Sequence, residues 1–126
     1  MQLTIKNHIF LDGGQEEIIT EKFPCQRRES SDKTLVSYEN EENEKVLLAF
    51  NAAGLTMTRF MADGPQAMRF LAGQETLMTY AGLGQLQLRT DKYSLTTDRL
   101  SVSYQLLQNE RPIAHYRLEI NFDYGN

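Results

Sequence analysis

One cysteine, Cys25, occurs in the whole chain, so an intramolecular disulfide is excluded and a reducing compartment fits. Long apolar runs are missing too, and nothing approaches the roughly 20 residues that a membrane-spanning helix needs. The opening MQLTIKNHIF carries strand-like alternation instead of the apolar stretch of a signal peptide. The expected location is the cytoplasm, with no membrane partner. Clustered positive charge is absent: the net charge is −4, and the densest basic pair, Arg27-Arg28, is followed at once by Glu29 and Asp32. Phosphate tracking needs a basic face, so no nucleic-acid partner is expected.

Chemistry-bearing motifs are equally scarce. The two histidines, His8 and His115, both fall on the more polar face of their strands. They meet neither the HExxH nor the paired-cysteine spacing of a zinc site, which takes three or four ligands. They would approach each other only if the first and last strands pair. No G-x-S-x-G elbow exists, and Cys25 has no histidine or asparagine context of a nucleophile. Gly82-Leu83-Gly84 lacks the third glycine of a dinucleotide loop and reads as a turn. The acidic run Glu39 to Glu44 lacks the twelve-residue calcium pattern and reads as a solvated loop. No catalytic residue, metal or cofactor is expected.

What the sequence does have is short alternation between turn signals. Its 126 residues make a single domain, 1–126, able to bury roughly two-thirds of its unfolded surface. The first run is Leu3, Ile5, Asn7, Ile9, stopped by Asp12-Gly13-Gly14. Later runs cover Glu17 to Phe23 and on past Pro24 toward Arg28, Thr34 to Glu39, Lys45 to Phe50, and Leu55 to Met61. They continue with Ala67 to Ala72, Thr76 to Ala81, Leu86 to Thr90, Leu100 to Leu106 and Ala114 to Phe122. Tyr93 to Thr97 reads as a short strand or an extended connection. Pro65 to Leu71 reads as a strand, with a short helix as the alternative because proline suits a first helical turn. Hairpin-length turns leave no room for crossover helices, so the pattern predicts an all-β antiparallel up-and-down meander of about 8–10 strands. Closing into a barrel hides its edges, and a sandwich is the alternative.

Arg59 stands in the register of Leu55, Met57 and Met61, an expensive place for a guanidinium unless it is paired. It either anchors an anionic group inside the barrel or pairs with a native carboxylate such as Glu39 or Glu119, or reaches to the rim. Tyr104 and Tyr116 lie in otherwise apolar registers and need partners for their hydroxyls; Tyr38 and Tyr80 complete the candidate set. These five are the expected ligand-binding residues. Two functions follow: a barrel holding one small, partly apolar or anionic molecule, or a filled barrel acting as an interaction or structural module. The sequence does not fix the oligomeric state, and a homodimer is open.

The stretches LVSYEN (35–40), GLTMTRF (54–60), MRFLAG (68–73) and TYAGLGQLQLRT (79–90), closing with LSVSYQLL and HYRLEINF, resemble the bacterial DUF1934, or YwiB-like, family nearly end to end. The resemblance implies a calycin-like, lipocalin-type barrel. Tyr38, Arg59, Tyr80, Gly84 and Thr90 match recurring family positions, while Met61 stands where glycine is more usual. The family name implies no established activity.

Overall fold

A computed structural model describes residues 1–10, 14–80 and 84–125, with only the backbone of Tyr80. Ten strands account for nearly all of them. They are β1 (Gln2–Phe10), β2 (Glu16–Glu29), β3 (Thr34–Glu39), β4 (Lys45–Asn51) and β5 (Gly54–Met61), then β6 (Gly64–Leu71), β7 (Glu75–Tyr80), β8 (Gly84–Leu95), β9 (Arg99–Gln108) and β10 (Arg111–Asp123). No helix occurs among the described residues, so Pro65 to Leu71 is strand. The turns read at Asp12-Gly13 and Gly82-Leu83 lie outside the described residues.

The strands pair antiparallel in the order β6-β5-β4-β3-β2-β1-β10-β9-β8-β7. First and last strands therefore meet, and the meander curls into a barrel. It is nearly closed: among the described residues no backbone ladder joins β6 to β7. Two side chains span that seam instead, Gln66 Nε2 donating to the Thr79 carbonyl at 3.1 Å and Thr76 Oγ1 to the Arg69 carbonyl at 2.8 Å. The expected antiparallel barrel is found, and at this one seam side chains stand in for main-chain bonds.

Pro24 marks a second departure from a uniform tube. From Glu16 to Pro24, β2 pairs with β1, and from Cys25 to Glu29 it pairs with β3. Proline has no N–H to give to a ladder, so it is tolerated where the strand changes neighbours. The next residue restores the pattern, Cys25 N donating to the Met1 carbonyl at 3.0 Å. In β8 the ladder to β9 shifts between Thr90 and Lys92, a bulge at Asp91. This bulge made Tyr93 to Thr97 look detached; β8 in fact runs on through Tyr93 to Leu95.

Alternation sends one side of every strand inward. Val36, Leu48, Phe70, Leu88, Leu100, Val102 and Ile120 have no exposed surface, each contributing about 1.5–3 kcal/mol by leaving water. At one end of the barrel Phe122 stacks between Phe50 (5.2 Å) and Tyr124 (5.5 Å), and Arg27 covers the Tyr124 ring at 4.2 Å. Tyr93 Oη ties this end shut by donating to the Asn51 carbonyl at 2.7 Å. Gly54, opposite Asn51, is required there: a Cβ would lie 2.3 Å from the Phe70 carbonyl oxygen.

Candidate functional site

The opposite end is less covered. Inward-register residues of β1, β2, β5, β6 and β10, among them Asn7, Glu21, Met57, Arg59, Gln66 and Tyr116, are only part-buried there. β8 and β9 keep their side of the mouth dry with Leu86, Leu88 and Leu106.

Arg59 faces inward beside Val46, as its register requires, at the last inward position of β5 that pairs with β4. Its side chain is 37% exposed. Nε donates to Glu44 Oε1 at 2.6 Å, and Nη2 to Glu42 Oε2 at 3.0 Å. Its carboxylate partners are therefore Glu42 and Glu44, not Glu39 or Glu119. They come from the acidic loop, which is built on Asn40. The Asn40 Oδ1 accepts from the backbone N–H of both Glu42 and Glu44 at 3.0 Å, and its Nδ2 donates to Glu44 Oε1 at 3.1 Å. Asn43 supports the tight return with φ 59°, a left-handed conformation asparagine tolerates. Hydrogen bonds from Asn40 and Arg59 hold the Glu44 carboxyl below its ordinary range, and Glu44 in turn raises Arg59 further.

Tyr38 stacks on Phe23 at 5.1 Å beneath this loop. Burial, then the nearby Glu21 charge, pushes its phenol up to about 12, with Arg59 opposing. Glu21 was not among the expected site residues. It lies opposite Ile5, hence in the inward register, and burial and a hydrogen bond shared with Glu41 raise its carboxyl. The signal was present: the alternation of Leu3 and Ile5 in β1 fixes the face of whatever pairs with them.

Deeper in, Tyr104 stacks on Tyr116 at 5.0 Å and meets the edge of Phe70 at 4.8 Å. The two tyrosines are thus neighbours across β9 and β10, while Tyr38 and Arg59 form a separate group near the rim. The Tyr80 side chain lies outside the described residues. Among the described residues two buried oxygens, Asn7 Oδ1 and Thr90 Oγ1, have no hydrogen-bond partner, and both belong to inward-facing positions.

Electrostatically the mouth is acidic, with Glu42 and Glu44 on the Arg59 guanidinium and Glu21 beside Glu41. Clefts of about 530–740 Å³ beside Met61, Cys25, Tyr93 and Phe10 are not lined by Arg59. Pairing of β1 with β10 brings His8 and His115 onto one face, but Phe10 lies between them, 5.1 Å from the His115 ring, and His8 Nδ1 is 2.6 Å from Glu16 Oε1. Among the described residues no group of three or more histidine, cysteine or carboxylate side chains is placed to hold a metal ion. Burial raises the Cys25 thiol, away from the thiolate a nucleophile needs. No helix among the described residues is long and apolar enough to cross a membrane.

The sequence matches the family described as "Domain of unknown function (DUF1934)" over residues 3–120. No curated protein matches it. Among solved structures it is similar to the crystal structure of ywiB protein from Bacillus subtilis, with a TM-score of 0.78 and 20% identity, over 99% of this chain and 91% of that one. At that identity the likeness speaks for the fold.

Proposed function

The chain belongs to the DUF1934 family, and on that footing we propose that it is a filled β-barrel working in the cytoplasm as a non-catalytic protein-interaction module. One observation carries this reading. The guanidinium that suggested an anionic ligand already has two carboxylate partners, at 2.6 and 3.0 Å. An anion entering the mouth would have to displace both carboxylates and compete with charges the chain already supplies. The apolar floor beneath is packed by Leu48, Leu55, Phe70 and Val102.

Native mass spectrometry of protein purified from cells, beside an Arg59→Leu variant, tests it. Both samples should carry the mass of bare polypeptide. A small molecule retained by the wild type and lost with Arg59→Leu would overturn the reading.

A second reading, the barrel as carrier of a small, partly apolar molecule, is favoured by the two unpartnered oxygens of Asn7 and Thr90. Buried polar atoms ordinarily have partners. Tyr104 and Tyr116 would line such a ligand, with Tyr38 and Arg59 nearer the rim, and the acidic mouth would select a neutral or cationic molecule.

A further inference from the structure

We infer that the free edge of β2 between Glu16 and Pro24 takes an extended, cationic segment of a partner protein as an added strand. This rests on the interaction-module reading and names the partner's chemistry. Along this stretch β2 pairs with β1, and among the described residues no strand pairs with its other side. One bond sets the direction of the free groups: Cys25 N donates to the Met1 carbonyl at 3.0 Å. Main-chain groups of successive residues point to opposite sides of a strand. Glu17, Ile19, Glu21 and Phe23 therefore address β1, while Glu16, Ile18, Thr20 and Lys22 send their N–H and C=O groups out from the sheet edge. Pro24 belongs to the second set, so its missing N–H takes nothing from the β1 ladder. The edges of β6 and β7 are less open, because Gln66 and Thr76 already bridge them.

Side chains along the edge select the occupant. The inward row runs Glu17, Ile19, Glu21, set by Ile9, Asn7 and Ile5 opposite. Ile19 on this row is 40% exposed, and Ile18 on the outer face 51%. Glu16, Glu42 and Glu44 already hold His8 or Arg59, whereas Glu17, Glu21 and Glu41 have no ion-pair partner among the described residues. Burial and the neighbouring Glu41 raise the Glu21 carboxyl, as expected of negative charge with no counter-ion. An added strand with Lys or Arg opposite Glu17 and Glu21, and an apolar residue between them against Ile19, suits all three positions at once. Main-chain bonds then supply affinity and the alternate side chains specificity. A second copy suits the edge less well, since pairing about Ile19 sets Glu17 of one copy opposite Glu21 of the other.

Amide exchange followed by NMR on the full chain tests the inference, with the acetylated peptide Thr-Lys-Thr-Val-Thr-Lys-Thr as probe. With about 1 mM peptide present, the amide protons of Glu16, Ile18, Thr20 and Lys22 should exchange at least threefold more slowly, and those of β6 should not change. Glu17→Lys and Glu21→Lys should each weaken the peptide at least tenfold. A second probe, with glutamate for both lysines, should prefer the doubly reversed chain to the wild type. Thr20→Pro removes one edge donor and leaves the β1 ladder whole, so it should abolish binding with little change in the thermal melt. Unslowed edge amides, equal binding of the two probes by the wild type, or binding undisturbed by Thr20→Pro would overturn the proposal. So would edge amides that slow in the peptide-free chain as its concentration rises, which would make a second copy the occupant. Failure here leaves the interaction-module reading standing on its own small-molecule test.

Discussion

At the end of the barrel around Phe50 and Phe122, inward side chains are apolar and covered, and a tyrosine hydroxyl ties β8 to β4. At the end around Tyr38 and Arg59, the same inward registers hold a guanidinium, a carboxyl and an amide, all part-exposed. One alternating pattern therefore builds two chemically different ends. The first is specified by hydrophobic burial, which needs no particular partner; the second depends on directional bonds supplied by one loop. Stability should accordingly concentrate in the first end and pH sensitivity in the second.

Phe122→Ala should remove about 3–5 kcal/mol from unfolding stability, whereas Tyr116→Ala at the open end should remove about 1–2 kcal/mol. Equal losses in denaturant melts would erase the distinction. Gly54→Ala should cost about 1–3 kcal/mol, because its methyl group must push back the β6 backbone at a place with no slack. A neutral result would mean that the covered end is softer than its packing implies. Arg59→Leu should lower the melting temperature by only a few degrees, less at high salt, since its ion pairs are part-exposed. Its effect should fade in acid. Glu44 has a lowered folded-state value, so its contribution is present above the unfolded value of 4.5 and is lost as pH falls through the lowered one.

The phenols offer a finer probe. Tyr38 at the open end and Tyr93 at the covered end both ionise at about 12. Stability from their neutral forms is present below the ordinary value of 10 and is lost as pH rises through about 12. In an ultraviolet titration, Tyr38→Phe and Tyr93→Phe should each delete one late-ionising phenol. The smallest effect belongs to Glu21→Gln. Because the Glu21 carboxyl is raised, its neutral form is favoured in the folded state and its stabilisation is lost as pH rises through the raised value. The variant should be slightly more stable than wild type at neutral pH and indistinguishable in acid, as paired thermal melts would show.

The sequence carried the local pattern well. In β10 the alternation of Ala114, Tyr116, Leu118, Ile120 and Phe122 against His115, Arg117, Glu119 and Asn121 matches the observed burial throughout. Arg59 was also legible as an inward-register residue. Its partners were not, because Glu42 and Glu44 reach it only through the turn that Asn40 builds, and loop geometry leaves no periodic trace. Glu21 was obscured because β2 shows little apolar alternation along its first half, where one side has no neighbouring strand. The β6–β7 seam was invisible for a related reason: alternation records which face is buried, not whether an edge is bonded.

That seam makes the molecule a split ring instead of a hoop. A hoop shares a local disturbance around its whole circumference, but here, among the described residues, side-chain bonds and not a backbone ladder join β6 to β7, so the two can part while every ladder survives. Amide protons of 65–70 and 75–79 should therefore exchange with solvent sooner than those of β9, which is flanked on both sides, and the tube should swell sideways long before it comes apart.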